Sequence, residues 1–236
     1  MRQSDLFDIF FNKLKKRCIP MILVLLILLW QVIGVFILRI FGINYNNFNE
    51  VLKVLFMFSL DLLFIGLLIF IYRKSFFRDF KNFFNRQVFS NISLSFKYWL
   101  IGFLIMVFSN FIIAIITNGT LASNEEAVRD LIDKYPIYMA FQVMFYAPLT
   151  EEVIFRKSIK DAVNNKYLYV IISGLIFGGL HVISSINGLI DLIYLIPYCT
   201  LGFVFAYLYT KTNNIFSTIT AHSFHNTLAL ILYLVA

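Results

Sequence analysis

The sequence predicts an all-α fold: a polytopic bundle of transmembrane helices, about seven spans, with interfacial helices at the N-terminus and over residues 73–97. Three observations carry this prediction. The chain is 60% hydrophobic and only 14% charged, against about a quarter charged in a soluble domain. Its apolar runs reach about 20 residues, the length a helix needs to cross a hydrocarbon core. The runs are continuous rather than alternating, so internally satisfied helices are expected in place of a closed barrel.

The spans fall at about 20–41, 51–72, 98–117, 137–160, 167–185, 188–209 and 215–235. Ahead of the first, Phe7, Phe10, Phe11 and Leu14 share a face near Lys13, Lys15, Lys16 and Arg17, the pattern of an interfacial helix on an anionic leaflet. The apolar run from Pro20 to Gly42 is too long for a signal-peptide core, and no small-x-small site follows it, so no cleaved leader is expected. Residues 73–97 mix Phe76, Phe77, Phe80, Phe83 and Phe84 with Arg and Lys, and read as an amphipathic surface helix.

Lysine and arginine alternate between the connections. Sixteen lie on the side of the N-terminus, including Arg73, Lys74, Arg78, Lys81, Arg86, Arg156, Lys157, Lys160, Lys166 and Lys211. The other side has Arg39, Lys53, Arg129 and Lys134 with an acidic stretch at 125–133. This asymmetry predicts a multi-pass protein with a cytoplasmic N-terminus. The net charge of +7 therefore serves topology, and lipid is the expected partner, not nucleic acid. Cys18 and Cys199 offer no disulfide framework and are expected as free thiols. One membrane domain, 1–236, accounts for the chain: 1–135 supplies spans and interfacial segments, and 136–236 the polar residues of interest.

Ionisable groups inside spans are costly, which makes those present informative. The fourth span ends in APLTEEVIFRKSIK. Pro148 is expected to kink or start a helix, and Thr150 to cap the segment from Glu151. Glu152 and Arg156, four apart, share a face and can pair. Glu151 is left as the less compensated carboxylate, suited to take a proton from water. In the fifth span, Gly174 and Gly178 form a small-residue face for close helix approach, with His181 nearby. Glu151 and His181 are symmetric about residue 166, so an antiparallel hairpin turning there brings both to one depth, roughly 22 Å from its tip. In the last span His222 and Asn226 share a face and offer donors for a developing oxyanion; His225 lies about 60° round the helix and is left outside the core site. Asp61 is read as a packing hydrogen-bonder and Asp191 as interfacial. Ser173 and Ser223 lack the partners of a nucleophile, and the His-Glu-x-x-His zinc pattern is absent.

These elements resemble the membrane-embedded CAAX-protease and bacteriocin-processing family, the CPBP or Abi family. Its signature runs Glu-Glu-x-x-x-Arg, Phe-x-x-x-His, His-x-x-x-Asn; here the matches are Glu151, Glu152 and Arg156, then Phe177 and His181, then His222 and Asn226. Lys157 stands where glycine is expected. The resemblance covers roughly residues 140–236. It implies peptide-bond hydrolysis within the membrane, with Glu151 and His181 activating water and His222 and Asn226 supporting the oxyanion. It also implies a membrane-associated peptide or protein substrate, and roles such as peptide maturation or bacteriocin self-immunity.

Two chemistries stay open at this stage. Glu151, His181 and His222 suit three zinc ligands with a fourth position open; alternatively the Glu–His pair activates water without a cofactor, which is the preferred reading. A non-catalytic immunity or membrane binding protein is the alternative to an enzyme, and an ion carrier using Glu151, Asp61 and His181 a third reading. Abundant Phe, Ile, Asn and Lys fits a bacterial cell membrane.

Overall fold

Backbone groups with no water to bond to are satisfied within helices, and the computed structural model consists of helices joined by short connections, with no strand among its described residues. It describes residues 3–85, 87–183, 186 and 188–235, with side chains from Cys18 onward. Eight helices follow in order: α1 (Gln3–Ile40), α2 (Glu50–Phe83), α3 (Val88–Thr117), α4 (Ser123–Lys134), α5 (136–162), α6 (Lys166–Ile183), α7 (Leu195–Thr212, led by a 3-10 turn Leu189–Tyr194) and α8 (Ile215–Val235).

Five stretches are long and apolar enough to cross a membrane: Cys18–Ile40, Glu50–Phe83, Val88–Thr117, Lys166–Ile183 and Leu189–Thr212. The other two expected spans are α5 and α8. They carry Glu151, Glu152, Arg156, His222, His225 and Asn226, and these polar groups dilute their apolar character. Lipid is as apolar as leucine, so close packing and polar bonds join membrane helices. α1 to α3 turn Phe36, Leu63, Phe70, Phe108 and Phe111 outward as lipid-facing surface. The main buried cluster joins Leu23 of α1, Phe64 and Leu68 of α2, Val153, Ile154 and Phe155 of α5, Phe177 of α6, Ala206 of α7 and Ile215 of α8.

Glycine decides the tightest contact. A Cβ on Gly202 would lie 2.9 Å from the Gly174 Cα and carbonyl oxygen, and one on Gly178 would lie 2.7 Å from the Cys199 nitrogen. The small face of α6 thus receives α7 at backbone contact. Cys199 is buried there, and both cysteines are free thiols.

Two surface expectations need revision. Residues 73–97 are not one helix: α2 runs on to Phe83, the chain turns, and α3 starts at Val88. Phe76, Phe80, Phe83 and Phe84 gather around Phe216 of α8 instead of spreading along a leaflet. Residues 3–17 continue directly into α1, and their side chains lie outside the described residues. Charge sorting between the faces does appear. At one end, Lys157 stacks on Tyr72, Lys160 on Tyr209, and Lys211 on Tyr207, while Asp79 pairs with Arg78 and accepts the first amide of α8. At the other, Glu50 accepts from Tyr135, and Tyr233 donates to Asp133. Arg156, counted with the surface cations, is fully buried.

Candidate active site

Pro148 brings no amide hydrogen, so a carbonyl one turn earlier loses its helical donor. α5 answers with a π turn, Gln142–Tyr146, just before the proline. The freed carbonyls are taken by α8: Asn226 Nδ2 donates to the Val143 oxygen at 2.9 Å, and Ser223 Oγ donates to the Met144 oxygen. Gln142 and Tyr138 donate to Asp61 of α2, which makes Asp61 an interhelical packing contact, as expected. Thr150 does not cap a helix; it lies inside α5 and donates back to the Tyr146 oxygen at 2.7 Å. A second π turn, Glu152–Ser158, follows at once. Single π turns are frequent at functional sites, and here Glu151 closes the short α segment between two of them while Glu152 opens the second.

Adjacent positions on a helix point about 100° apart, so Glu151 and Glu152 meet different surroundings. Glu152 is fully buried. Its Oε2 takes the Arg156 Nε–H at 2.9 Å, the expected pair, and its Oε1 takes His222 Nδ1 at 2.9 Å. Arg156 also donates to Ser173 Oγ at 2.9 Å, Ser173 donates to the Phe155 carbonyl of the π turn, and the guanidinium lies 4.7 Å from the Phe177 ring centre. Ser173, which lacked the sequence context of a nucleophile, is thus a bridge the sequence did not reveal. Asp191 is not simply interfacial; it is buried and accepts from Ser123 and the Gly188 amide.

Glu151 faces the histidines. Its Oε2 lies 3.9 Å from His181 Nε2 and 4.0 Å from His222 Nε2. α5 and α6 form the hairpin that brings Glu151 and His181 to one depth. The tautomers follow from the partners. His181 Nδ1 is 2.8 Å from the Phe177 carbonyl, which only accepts, so Nδ1 carries the hydrogen. His222 Nδ1 likewise faces a carboxylate. Both rings therefore turn Nε2 toward Glu151, and aromatic contacts with Tyr198, Phe177 and Phe205 hold them there.

The spacing bears on metal. Zinc bonds of about 2.0–2.2 Å in a tetrahedron put donor atoms about 3.3–3.6 Å apart. Separations of 3.9 and 4.0 Å are wider and suit a hydrogen-bonded solvent molecule better. Among the described residues no group of three or more His, Cys, Asp or Glu side chains is arranged to hold a metal ion.

A cavity of about 270 Å³ runs from this layer toward α4. Glu151, His181, His222 and Asn226 line it, together with Tyr198, Leu201 and Phe205 and with Asn124, Glu125, Arg129 and Tyr233. His225, left outside the core site by sequence reasoning, also borders it. The opposite side of the layer is sealed by Glu152, Arg156, Ser173 and Tyr169.

Comparison with known proteins finds similarity over the segment that carries these residues. Residues 133–228 match the family model of the type II CAAX prenyl endopeptidase, Rce1-like. The chain is similar to the candidate membrane peptidase YdiL of Bacillus subtilis, 34% identical over 61% of this chain and 59% of that one. It is also similar to YxdF, a UPF0177 protein of Lactococcus lactis, 25% identical over 58% of this chain and 77% of that one. The chain thus spans about three fifths of the length of the Bacillus protein. No solved structure matches. Residues 133–228, which hold the glutamate pair and all three histidines, are thus the part of the chain that is similar to the Rce1-like type II CAAX prenyl endopeptidases.

Proposed function

We propose that this protein is an intramembrane endopeptidase that hydrolyses a peptide bond of a membrane-associated peptide or protein, using water activated by Glu151 and His181 without a metal. The observation that carries this reading is the convergence of the Glu151 carboxylate and two histidine Nε2 atoms within 3.9–4.0 Å beside a cavity. Water there donates one hydrogen to Glu151 and the other to His181 Nε2. In this reading His222 carries both ring hydrogens: Nδ1–H is donated to Glu152, and Nε2–H is offered to the oxyanion.

The water oxygen attacks the carbonyl carbon while its proton passes to Glu151. The oxyanion forms against the donors of His222 and Asn226. When the intermediate collapses, the C–N bond breaks and Glu151 returns the proton to the leaving nitrogen. Glu152, Arg156 and Ser173 hold His222 in place. The core 136–236 does the chemistry, in a bacterial membrane with the N-terminus cytoplasmic; peptide maturation or bacteriocin self-immunity are roles it would serve.

The test is cleavage by purified protein in liposomes against a library of acylated, quenched fluorescent peptides, read by fluorescence and mass spectrometry. Wild type cleaves a subset, and Glu151→Gln cleaves none while keeping its thermal transition. Equal cleavage by both proteins removes the reading.

A further inference from the structure

His225 is the one histidine that the proposed mechanism does not use. It sits on α8 one turn beyond His222, and its ring borders the same cavity. The Trp99 indole of α3 contacts it, with Nε1 3.4 Å from His225 Nδ1. An indole N–H only donates, so Nδ1 of His225 accepts. The hydrogen of the neutral ring is therefore on Nε2, the reverse of the assignment at His181. Trp99 cannot easily turn to alter this: it is buried, stacks on Phe103 at 4.9 Å and meets Phe224 edge-on at 4.6 Å. His225 Nε2 has no hydrogen-bond partner among the described residues, and it is not sealed away as a buried orphan. Meanwhile Asn226 gives one of its two amide hydrogens to the Val143 carbonyl, which Pro148 leaves without a helical donor.

We propose that His225 is a further catalytic residue: its Nε2–H, set by Trp99, donates to the oxygen of the scissile carbonyl as that oxygen gains charge. The proposal rests on the hydrolytic reading above, and it adds a neutral donor beside the charged His222. Trp99 is then a positioning residue that acts through the His225 tautomer.

Two measurements on the full chain test it. The first needs no substrate. Two-bond 1H–15N spectra of 15N-histidine-labelled protein in nanodiscs, assigned with His225→Gln, should show Nδ1 of His225 bare and Nε2 protonated. In Trp99→Phe this preference should weaken. A protonated Nδ1 in wild type overturns the proposal, whatever the enzyme does. The second uses the liposome peptide library. Glutamine can place an N–H near the Nε2 position, whereas the shorter asparagine cannot. His225→Gln should keep kcat within a few-fold; His225→Asn and His225→Phe should lose about 10²–10³-fold in kcat, as removal of an oxyanion donor does, with KM nearly unchanged. Equal kcat in the Gln, Asn and Phe variants, or a change in KM alone, overturns it while Glu151→Gln remains inactive. Activity in Glu151→Gln would instead remove the underlying reading.

Discussion

Glu151 and Glu152 are neighbours in sequence but belong to two different halves of the bundle. On the Glu152 side both carboxylate oxygens are matched, by Arg156 and by His222, and Arg156 reaches on to Ser173, while Arg156 Nη2 and the Tyr169 hydroxyl are buried with no hydrogen-bond partner among the described residues. On the Glu151 side, Oε2 has no hydrogen-bond partner among the described residues, and it faces two histidine nitrogens and open space. The Glu152 network ties α5 to α6 and α8 and fixes the ring of His222, while Glu151 is left facing the cavity. A buried charge without a partner would not be tolerated on the sealed side.

Substitutions should separate the two halves, and the largest effect is expected at the open one. Glu151→Gln should lower kcat at least about 10³-fold, as loss of a general base does, with little change in thermal stability; a matching loss of stability would mean that Glu151 is structural. At the sealed half, Arg156→Met leaves Glu152 buried beside an uncharged chain and should cost about 3–5 kcal/mol, read as a large fall in the thermal transition. The double variant Glu152→Leu/Arg156→Met should recover part of that loss, and additive losses would contradict the pairing. Gly178→Val forces a side chain onto the Cys199 backbone and should cost about 1–3 kcal/mol or more through overpacking, with activity falling in step with folded protein. Ser223→Ala removes the donor to the Met144 carbonyl and should cost about 1 kcal/mol, with only a modest effect on kcat. Last, a chelator such as EDTA should leave peptide cleavage unchanged, and a loss restored by added zinc would overturn the metal-free mechanism.

Much of this arrangement was legible from spacing. Helices at 3.6 residues per turn put Glu152 over Arg156, and the symmetry of Glu151 and His181 about residue 166 placed them together. The glycine pair of α6 identified the face that α7 meets. What spacing missed traces to departures from regular geometry. A π turn adds a residue to one turn of the helix, so the phase of a helical wheel drawn through α5 is wrong beyond Gln142. Thr150 looked like a cap because Pro148 was expected to kink or start a helix, whereas the helix continues through it. The basic, aromatic stretch 73–97 looked continuous because its charges suit a surface throughout, but the cluster around Phe216 draws its first half into the bundle. His225 was set aside on angle alone, since nothing local reveals that Trp99, 126 positions earlier, would reach its ring.

The sequence by itself determined the helical, membrane-crossing character of the chain, the segments that carry charge, and the short-range pairings, because composition and helix period act locally. Only the tertiary structure decided which nitrogen of each histidine holds the hydrogen, which carboxylate is sealed and which faces the cavity, and where the carbonyls freed by Pro148 find donors. Those outcomes depend on partners from distant helices, and the low dielectric between helices makes each such partner matter.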